Sequence, residues 1–351
     1  MSSREKVTIY HISKKLNISA ATVSRALNGS PKISQDTKKL VLETAKAMNY
    51  KQNRLAQALK SGKTNNIGVI VPYINHSFFA SVIRGIEEEL SPKGYHVIIC
   101  QTHENVANEI NQINTLLNTQ IDGIFLSVSR TTQQIDHILK VVEEGTPLVF
   151  FDRKKEIPGI SAVTIDDEKG GFLATEHLIK QGCKQIAHFS GDLNLEIYRK
   201  RYDGYLKALT KYGLRPVDEY LLQVNSKLES GASAIKKLWE LAKKPDAIFS
   251  SSDYAALGAI QELKKVGVKV PDDVSVVGFS NEPFTKYMEL PITSVDQTPL
   301  KMGKIAAQVF LEQTNAKQKP GIEKRVVLPP KLYIRKSSSR LLTEKLPASR
   351  E

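Results

Sequence analysis

Residues Asn17–Pro31 read NISAATVSRALNGSP, a stretch of small and hydroxyl-bearing residues with no Asp or Glu and a single Arg. Ser19 stands where a helix N-cap accepts a free backbone N–H, and Asn28-Gly29 supplies the stop. At about 100° per residue, Val23 and Leu27 share one face and Ala21, Thr22 and Arg25 the opposite arc, with Asn28 near its edge. That arc offers donors and room without bulk or negative charge. A surface of this kind fits the DNA major groove, where side chains must reach base edges between the sugar–phosphate walls.

The flanking sequence supplies the frame for such a helix. VTIYHISKKL sets Ile9, Ile12 and Leu16 at spacings of three and four, which predicts a first helix joined by a tight turn at NIS. A third helix is expected after the Ser34 cap, with Asp36 in its first turn and Leu40, Val41, Ala45 and Met48 facing the other two. Helix, turn and helix in this order is the arrangement whose second helix reads bases. Charge supports a polyanion partner for this segment. The net charge is +13, and residues 1–64 hold thirteen Lys or Arg against three Asp or Glu, whereas the other 287 residues are close to balance.

From Ile67 onward, short apolar runs alternate with helical patterns. IGVIVP, HVIICQ, GIFLSVS and PLVFFDR form one set, and QIAHFSG, YLLQV, AIFSSSD and VSVVGF a second. Strands separated by amphipathic helices predict parallel sheets with helices on both faces. IDGIFLSVS (Ile121–Ser129) and PDAIFSSSD (Pro245–Asp253) follow one plan, which suggests two similar α/β lobes with a cleft at their strand ends. The fold class expected is thus a small all-α helix-turn-helix headpiece plus an α/β core of two lobes with parallel sheets. The chain has no GxGxxG, GxxxxGK[ST] or GxSxG motif, and its seven His show no ligand or triad spacing, so neither an enzyme nor a metal or cofactor is expected. Cys100 and Cys183 lie in or beside apolar runs as packing residues. No run approaches the roughly 20 apolar residues of a membrane span, and the first residues lack an apolar signal core. The expected setting is the cytoplasm, with no membrane partner.

The run VTIYHISKKLNISAATVSRALNGSPKISQDTKKLVLETAKAMNYKQNRLAQALKSGKTNNIGVIVP resembles the N-terminal region of the lactose-repressor (LacI) family of bacterial transcription regulators, with ATVSRALN followed by NYKQNRLAQAL as its most specific part. DDEKGGFLATEHLIKQGCKQIAHFSG, RYDGYLKAL, PDDVSVVGF and ITSVDQ extend the resemblance over nearly the whole chain. It implies a headpiece at 1–50 and a hinge helix with linker at 51–66. It further implies a core at 67–335 like periplasmic sugar-binding proteins, and the polar stretch 336–351 is left as a tail. The first lobe would take about 67–164 plus 297–323 and the second about 168–292 plus 326–335. Crossovers would lie near Thr164–Asp167, Ile292–Gln297 and Lys324–Val326. The candidate DNA contacts are Thr8, Ser19, Ala20, Ala21, Thr22, Arg25, Asn28, Ser34, Thr37 and Tyr50 in the headpiece, and Asn53, Arg54, Ala56, Gln57 and Leu59 in the hinge. In the family a hinge leucine, here Leu59, wedges into the central base step and kinks the DNA.

Candidate cleft residues are Ser127, Asp152, Asp253 and Ser280 at strand ends, Arg201 at a helix start, and Phe78 after the first strand. A carboxylate facing a guanidinium grips vicinal hydroxyls, and an aromatic ring covers a sugar's apolar face. By resemblance, Arg201 matches an effector-gripping arginine and Asp152 a ligand-facing acid. GFSNEPF (Gly278–Phe284) departs from the family's GFD or GYD, so Ser280 replaces an acid and leaves room for an acidic or phosphorylated effector. The function expected is a homodimeric repressor on a pseudo-palindromic double-stranded operator, controlled by a sugar or sugar derivative. The alternative is a solute-binding protein without a regulatory role. Leu59→Ala is expected to weaken operator binding and reduce DNA bending in a circular-permutation gel shift, and wild-type bending would remove the wedge role.

Overall fold

The computed structural model describes residues 7–51, 63–314 and 323–340. The expected hinge contacts Asn53, Arg54, Ala56, Gln57 and Leu59 therefore lie outside the described residues. The chain divides into two compact units, residues 1–64 and 65–351. The first holds helices α1 (Ile9–Leu16), α2 (Ala20–Leu27) and α3 (Gln35–Ala47). Their core is Ile12, Val23, Ala26, Val41 and Ala45, with Ile9, Leu16, Leu27 and Met48 packed around it. Leu40, expected inside, is 50 % exposed, and Thr44 is buried instead. Leu40 precedes Val41 by one 100° step, which carries it off the stripe formed by Val41, Thr44, Ala45 and Met48.

The second unit is built on two six-stranded sheets. Its elements are β1 (Asn66–Val71), α4 (Ser77–Leu90), β2 (His96–Gln101), α5 (Val106–Asn118), β3 (Gly123–Leu126), α6 (Asp136–Glu143), β4 (Leu148–Phe151) and β5 (Ser161–Ile165). There follow α7 (Asp167–Lys180), β6 (Ile186–Ser190), α8 (Glu196–Lys211), β7 (Leu221–Gln223), α9 (Leu228–Glu240), β8 (Ala247–Ser250), α10 (Asp253–Lys265) and β9 (Ser275–Phe279). Next come α11 (Phe284–Tyr287), β10 (Thr293–Asp296), α12 (Pro299–Thr314), β11 (Arg325–Leu328) and β12 (Lys331–Tyr333). The sheet orders are β11-β5-β4-β3-β1-β2 and β12-β10-β9-β8-β6-β7. The two orders superpose strand for strand. β3 and β8, the strands inside the two similar segments of the sequence, occupy the same place. Every pairing is parallel except β10 with β12. Central strands such as β1 and β6 are buried on both faces, which is why they read as continuous apolar runs.

Among the described residues the chain passes between the sheets three times, between β5 and α7, between β10 and α12, and between β11 and β12. The second passage runs through Gln297 and Thr298, at the far end of the expected segment, because Thr293–Asp296 are paired as β10. The third falls at Pro329-Pro330 rather than at Lys324–Val326. Arg325–Leu328 pair with Ala162–Ile165, so residues 326–328 belong to the first lobe and not to the second.

Three helix pairs in this unit touch through reciprocal glycines. A Cβ on Gly303 of α12 would lie 2.0 Å from the Val82 carbonyl, and one on Gly85 of α4 would lie 2.3 Å from the Leu300 carbonyl. Gly171 and Gly204 do the same between α7 and α8, and Gly231 and Gly258 between α9 and α10. Backbone rather than flexible side chain is the obstacle, so a methyl group there must separate two helices. Gly303→Ala is expected to cost about 1–3 kcal/mol of stability, read as a lowered melting temperature. An unchanged melting temperature would mean that α4 and α12 do not depend on this contact.

Candidate nucleic-acid interface and ligand cleft

In the headpiece, the starts of α2 and α3 use one device. Ser19 Oγ accepts the Thr22 N–H at 3.1 Å and meets Thr22 Oγ1 at 2.9 Å, and Ser34 Oγ accepts the Thr37 N–H at 3.3 Å and meets Thr37 Oγ1 at 2.8 Å. These hydroxyls set the N-termini of α2 and α3, and helix N-termini suit phosphate groups. The outer arc of α2 presents Ala21, Arg25 and Asn28 as exposed residues, with Thr22 and Ala20 half-buried. Thr8 is exposed before α1, and its N–H donates to His11 Nδ1 at 3.0 Å. Tyr50 is half-buried against the headpiece core.

In the second unit a cavity of about 670 Å³ opens between the lobes. It lies at the C-terminal ends of the strands, the usual ligand position in open α/β sheets. Asp152 follows β4 and Ser280 follows β9, which are equivalent strands. Each has a positive φ, 60° and 110°, that L side chains rarely adopt. Each also donates its N–H to a valine carbonyl of the next strand, Val163 at 3.0 Å and Val295 at 2.8 Å. The same strained turn thus delivers both side chains to the cleft, and backbone strain of this kind concentrates at ligand sites.

Arg201, on the second turn of α8, is 3 % exposed and held on four sides. Its Nε donates to Asp167 Oδ1 at 2.7 Å, Nη1 to the Ser251 carbonyl at 3.2 Å and Nη2 to Gln297 Oε1 at 3.3 Å. The guanidinium lies 3.7 Å from the centre of the Phe279 ring. Asp253 Oδ2 accepts the Glu282 N–H at 2.8 Å, and its Oδ1 accepts from Ser294 Oγ at 2.6 Å. Asp152, Arg201, Asp253, Ser280 and Phe78 all line the cavity. Phe78 is also a member of the core, only 6 % exposed and edge-on to Phe79. Ser127 differs from expectation. It is fully buried, is not among the cavity-lining residues, and donates to Asp152 Oδ2 at 3.4 Å, so it positions the acid behind the wall.

Two family descriptions match the chain, "Bacterial regulatory proteins, lacI family" over residues 8–53 and "Periplasmic binding proteins and sugar binding domain of LacI family" over residues 64–336. The chain belongs to the LacI family. Catabolite control protein A of Priestia megaterium is 34 % identical over 334 residues, covering 95 % of this chain and 99 % of that protein. A solved complex of the transcriptional regulator CelR with cellobiose is 27 % identical with a TM-score of 0.72, covering 95 % of this chain and 100 % of that one. The lac repressor dimer bound to operator and the anti-inducer ONPF shares the fold, with a TM-score of 0.84 at 24 % identity, over 95 % of this chain and 99 % of that one. No helix among the described residues is long and apolar enough to cross a membrane, and among them no cluster of His, Cys, Asp and Glu could hold a metal ion.

In this LacI-family chain several cleft residues had no distinguishing mark in the sequence. Glu282, 4 % exposed, accepts from Ser77 Oγ at 2.6 Å across the lobes. Tyr73 stacks on His76 with ring centres 5.4 Å apart, and Tyr254 of the other lobe sits 5.9 Å from His76. Gln297 and Asp167 lie in the runs ITSVDQ and DDEKGG, where a polar residue ending a strand or starting a helix is the available signal, and Glu282 lies in GFSNEPF, where Ser280 is the evident departure.

Burial dominates the titration of Asp152, Asp167 and Asp253. Asp167 is raised to about 6 by desolvation despite the Arg201 ion pair, and Asp152 is also raised by its burial, against the pull of Arg153 and Arg201. Asp253 is pushed up to about 7 by burial, with the Ser294 and Glu282 hydrogen bonds opposing. Its folded pKa lies above the ordinary 3.8, so the folded state keeps a proton that the unfolded chain has released. Asp253 therefore lowers stability progressively from about pH 4 to about pH 7, with no further loss above. His188, buried and lowered to about 3, has the opposite slope below pH 6.5. The difference between wild type and Asp253→Asn isolates the acid. From pH 5 to pH 8 wild type is expected to lose about 2–3 kcal/mol relative to the variant. Parallel stability curves in denaturant titrations would contradict the assignment.

Proposed function

We propose that this chain is a transcriptional repressor that acts as a homodimer on a pseudo-palindromic operator, with a sugar or sugar derivative in the cleft as its effector. The observation that carries the proposal is the joining, in one chain, of an acid-free second helix of a helix-turn-helix to a two-lobed cleft whose strand ends present Asp152, Arg201 and Asp253. Two-fold symmetric proteins read two half-sites, so a dimer matches such a target. The edge strand β2 supports self-association, with Ile98 37 % and Ile99 50 % exposed. The cellobiose held by CelR supports a carbohydrate in a core of this fold. The cleft serves binding rather than turnover, and the protein works in the cytoplasm with its DNA. The DNA contacts are Ala21, Thr22, Arg25 and Asn28 from α2, with Thr8, Ser19, Ala20, Ser34, Thr37 and Tyr50 around them and Asn53, Arg54, Ala56, Gln57 and Leu59 from the hinge.

Arg25 is the one long charged donor on the reading arc, so its loss is the direct test. An operator is first selected from randomised palindromes with the wild-type chain. Arg25→Ala is expected to lose about 1–3 kcal/mol of discrimination between that operator and a scrambled duplex in gel-shift titrations, with effector-linked thermal stability unchanged. Retained selectivity would refute the recognition-helix assignment. A wild-type chain with no sequence preference would favour a solute-binding role.

A further inference from the structure

A sugar or sugar derivative in the cleft, as proposed above, meets walls that discriminate between kinds of sugar. Among the described residues six carboxylates and four cations line the cavity. The two buried cations are already engaged. Arg153 Nη1 donates to both Glu104 oxygens at 2.9 and 2.8 Å, and Arg201 holds Asp167. The other two, Arg130 and Lys227, are exposed. On the acid side Asp152, Asp253 and Glu282 are all buried. A phosphate or carboxylate at the cleft floor would face these acids with both buried guanidinium groups committed elsewhere, and an uncompensated buried anion costs several kcal/mol. A hydroxyl donating to a buried carboxylate gains a charge-assisted hydrogen bond instead.

The acid missing at position 280 is replaced nearby. Ser280 accepts from Gln297 Nε2 at 3.0 Å, and the chain continues through Asn281, also at positive φ, so that Glu282 lines the same wall. Size adds a second discrimination. Ligand cavities span about 300–1,000 Å³, and one of about 670 Å³ has room for more than one pyranose ring. The stacked Tyr73 and His76 of one lobe and Tyr254 of the other add aromatic surface to the cavity wall. We infer that the cleft takes an uncharged saccharide of more than one ring, and that Glu282 accepts the hydroxyl hydrogen bonds that Ser280 is unable to accept as a carboxylate would.

The test uses the full chain, thermal unfolding and calorimetric titration. The probes are glucose, a set of neutral disaccharides with α and β linkages, glucose 6-phosphate, glucuronate and adenine. A neutral disaccharide is expected to raise the melting temperature by mass action and to bind at least tenfold more tightly than glucose. Glu282→Gln, which keeps an oxygen for Ser77, is expected to weaken that disaccharide about tenfold. Ser77→Ala, which removes only the hydrogen bond between the lobes, is expected to weaken it less than threefold. Equal losses in the two variants would make Glu282 a latch and overturn its role toward ligand. Glucose binding as tightly as any disaccharide would overturn the size inference. Binding confined to the phosphate, the uronate or adenine would overturn the neutral-saccharide inference while leaving an effector in the cleft. No response to any probe would overturn this inference together with the sugar effector.

Discussion

The four-sided grip on Arg201 is the constraint around which the core is arranged. Its guanidinium bonds Asp167, at the start of α7 just past the first passage between the lobes, and Gln297, within the second. Its third bond goes to the end of β8, and its face rests on Phe279 at the end of β9. A single planar fork therefore ties two interlobe connections to two strand ends of the second sheet, which lysine, a point charge on a flexible stem, would not reproduce. The glycine pair Gly171 and Gly204 makes this possible. A Cβ on Gly171 would sit 2.1 Å from the Arg201 carbonyl, so only glycine there lets α7 approach α8 closely enough to bring Asp167 onto the fork.

The near-identity of the two sheets explains where the cleft comes from and where it is asymmetric. Asp152 and Ser280 occupy equivalent turns with equivalent backbone hydrogen bonds, yet one lobe presents a buried acid and the other a hydroxyl. Buried acids nevertheless flank the second lobe's wall, because Asp253 and Glu282 converge beside Ser280 through the Glu282 N–H bond to Asp253. The cleft is thereby richer in acid than the Ser280 substitution alone implied, which weighs against the acidic or phosphorylated effector that the GFS departure left open.

Periodicity carried the three headpiece helices, the outward face of α2 and the alternation of strands and helices, because each depends on local spacing. The single misplaced headpiece residue, Leu40, lay one helical step from the true stripe, within the angular error of reasoning from spacing alone. Asp152, Asp253 and Ser280 were legible as cavity-lining positions because they follow β4, β8 and β9, whereas Arg201 lines the cavity from the second turn of α8 rather than from its start. Ser127 shared that address but turned inward, since the side chain of a strand-end residue points to either face by a parity that sequence does not mark. Glu282, Ser77, Tyr73, His76 and Tyr254 were not legible as a group. Their meeting depends on the closure of two lobes across 205 residues of chain between Ser77 and Glu282, and no short pattern encodes it. The passage at Pro329-Pro330 was misplaced because β11 and β12 are both short, and only pairing assigns them to different sheets.

Under the proposed function, occupancy of the cleft and affinity for DNA are one coupled equilibrium. The most direct test measures operator affinity of the full chain with and without a saturating cleft ligand, and the affinity of that ligand with and without operator. Coupling predicts a change in both, by the same factor, within the roughly 5- to 150-fold range usual for linked sites. A ligand that raises the melting temperature of the core yet leaves operator affinity unchanged would contradict it.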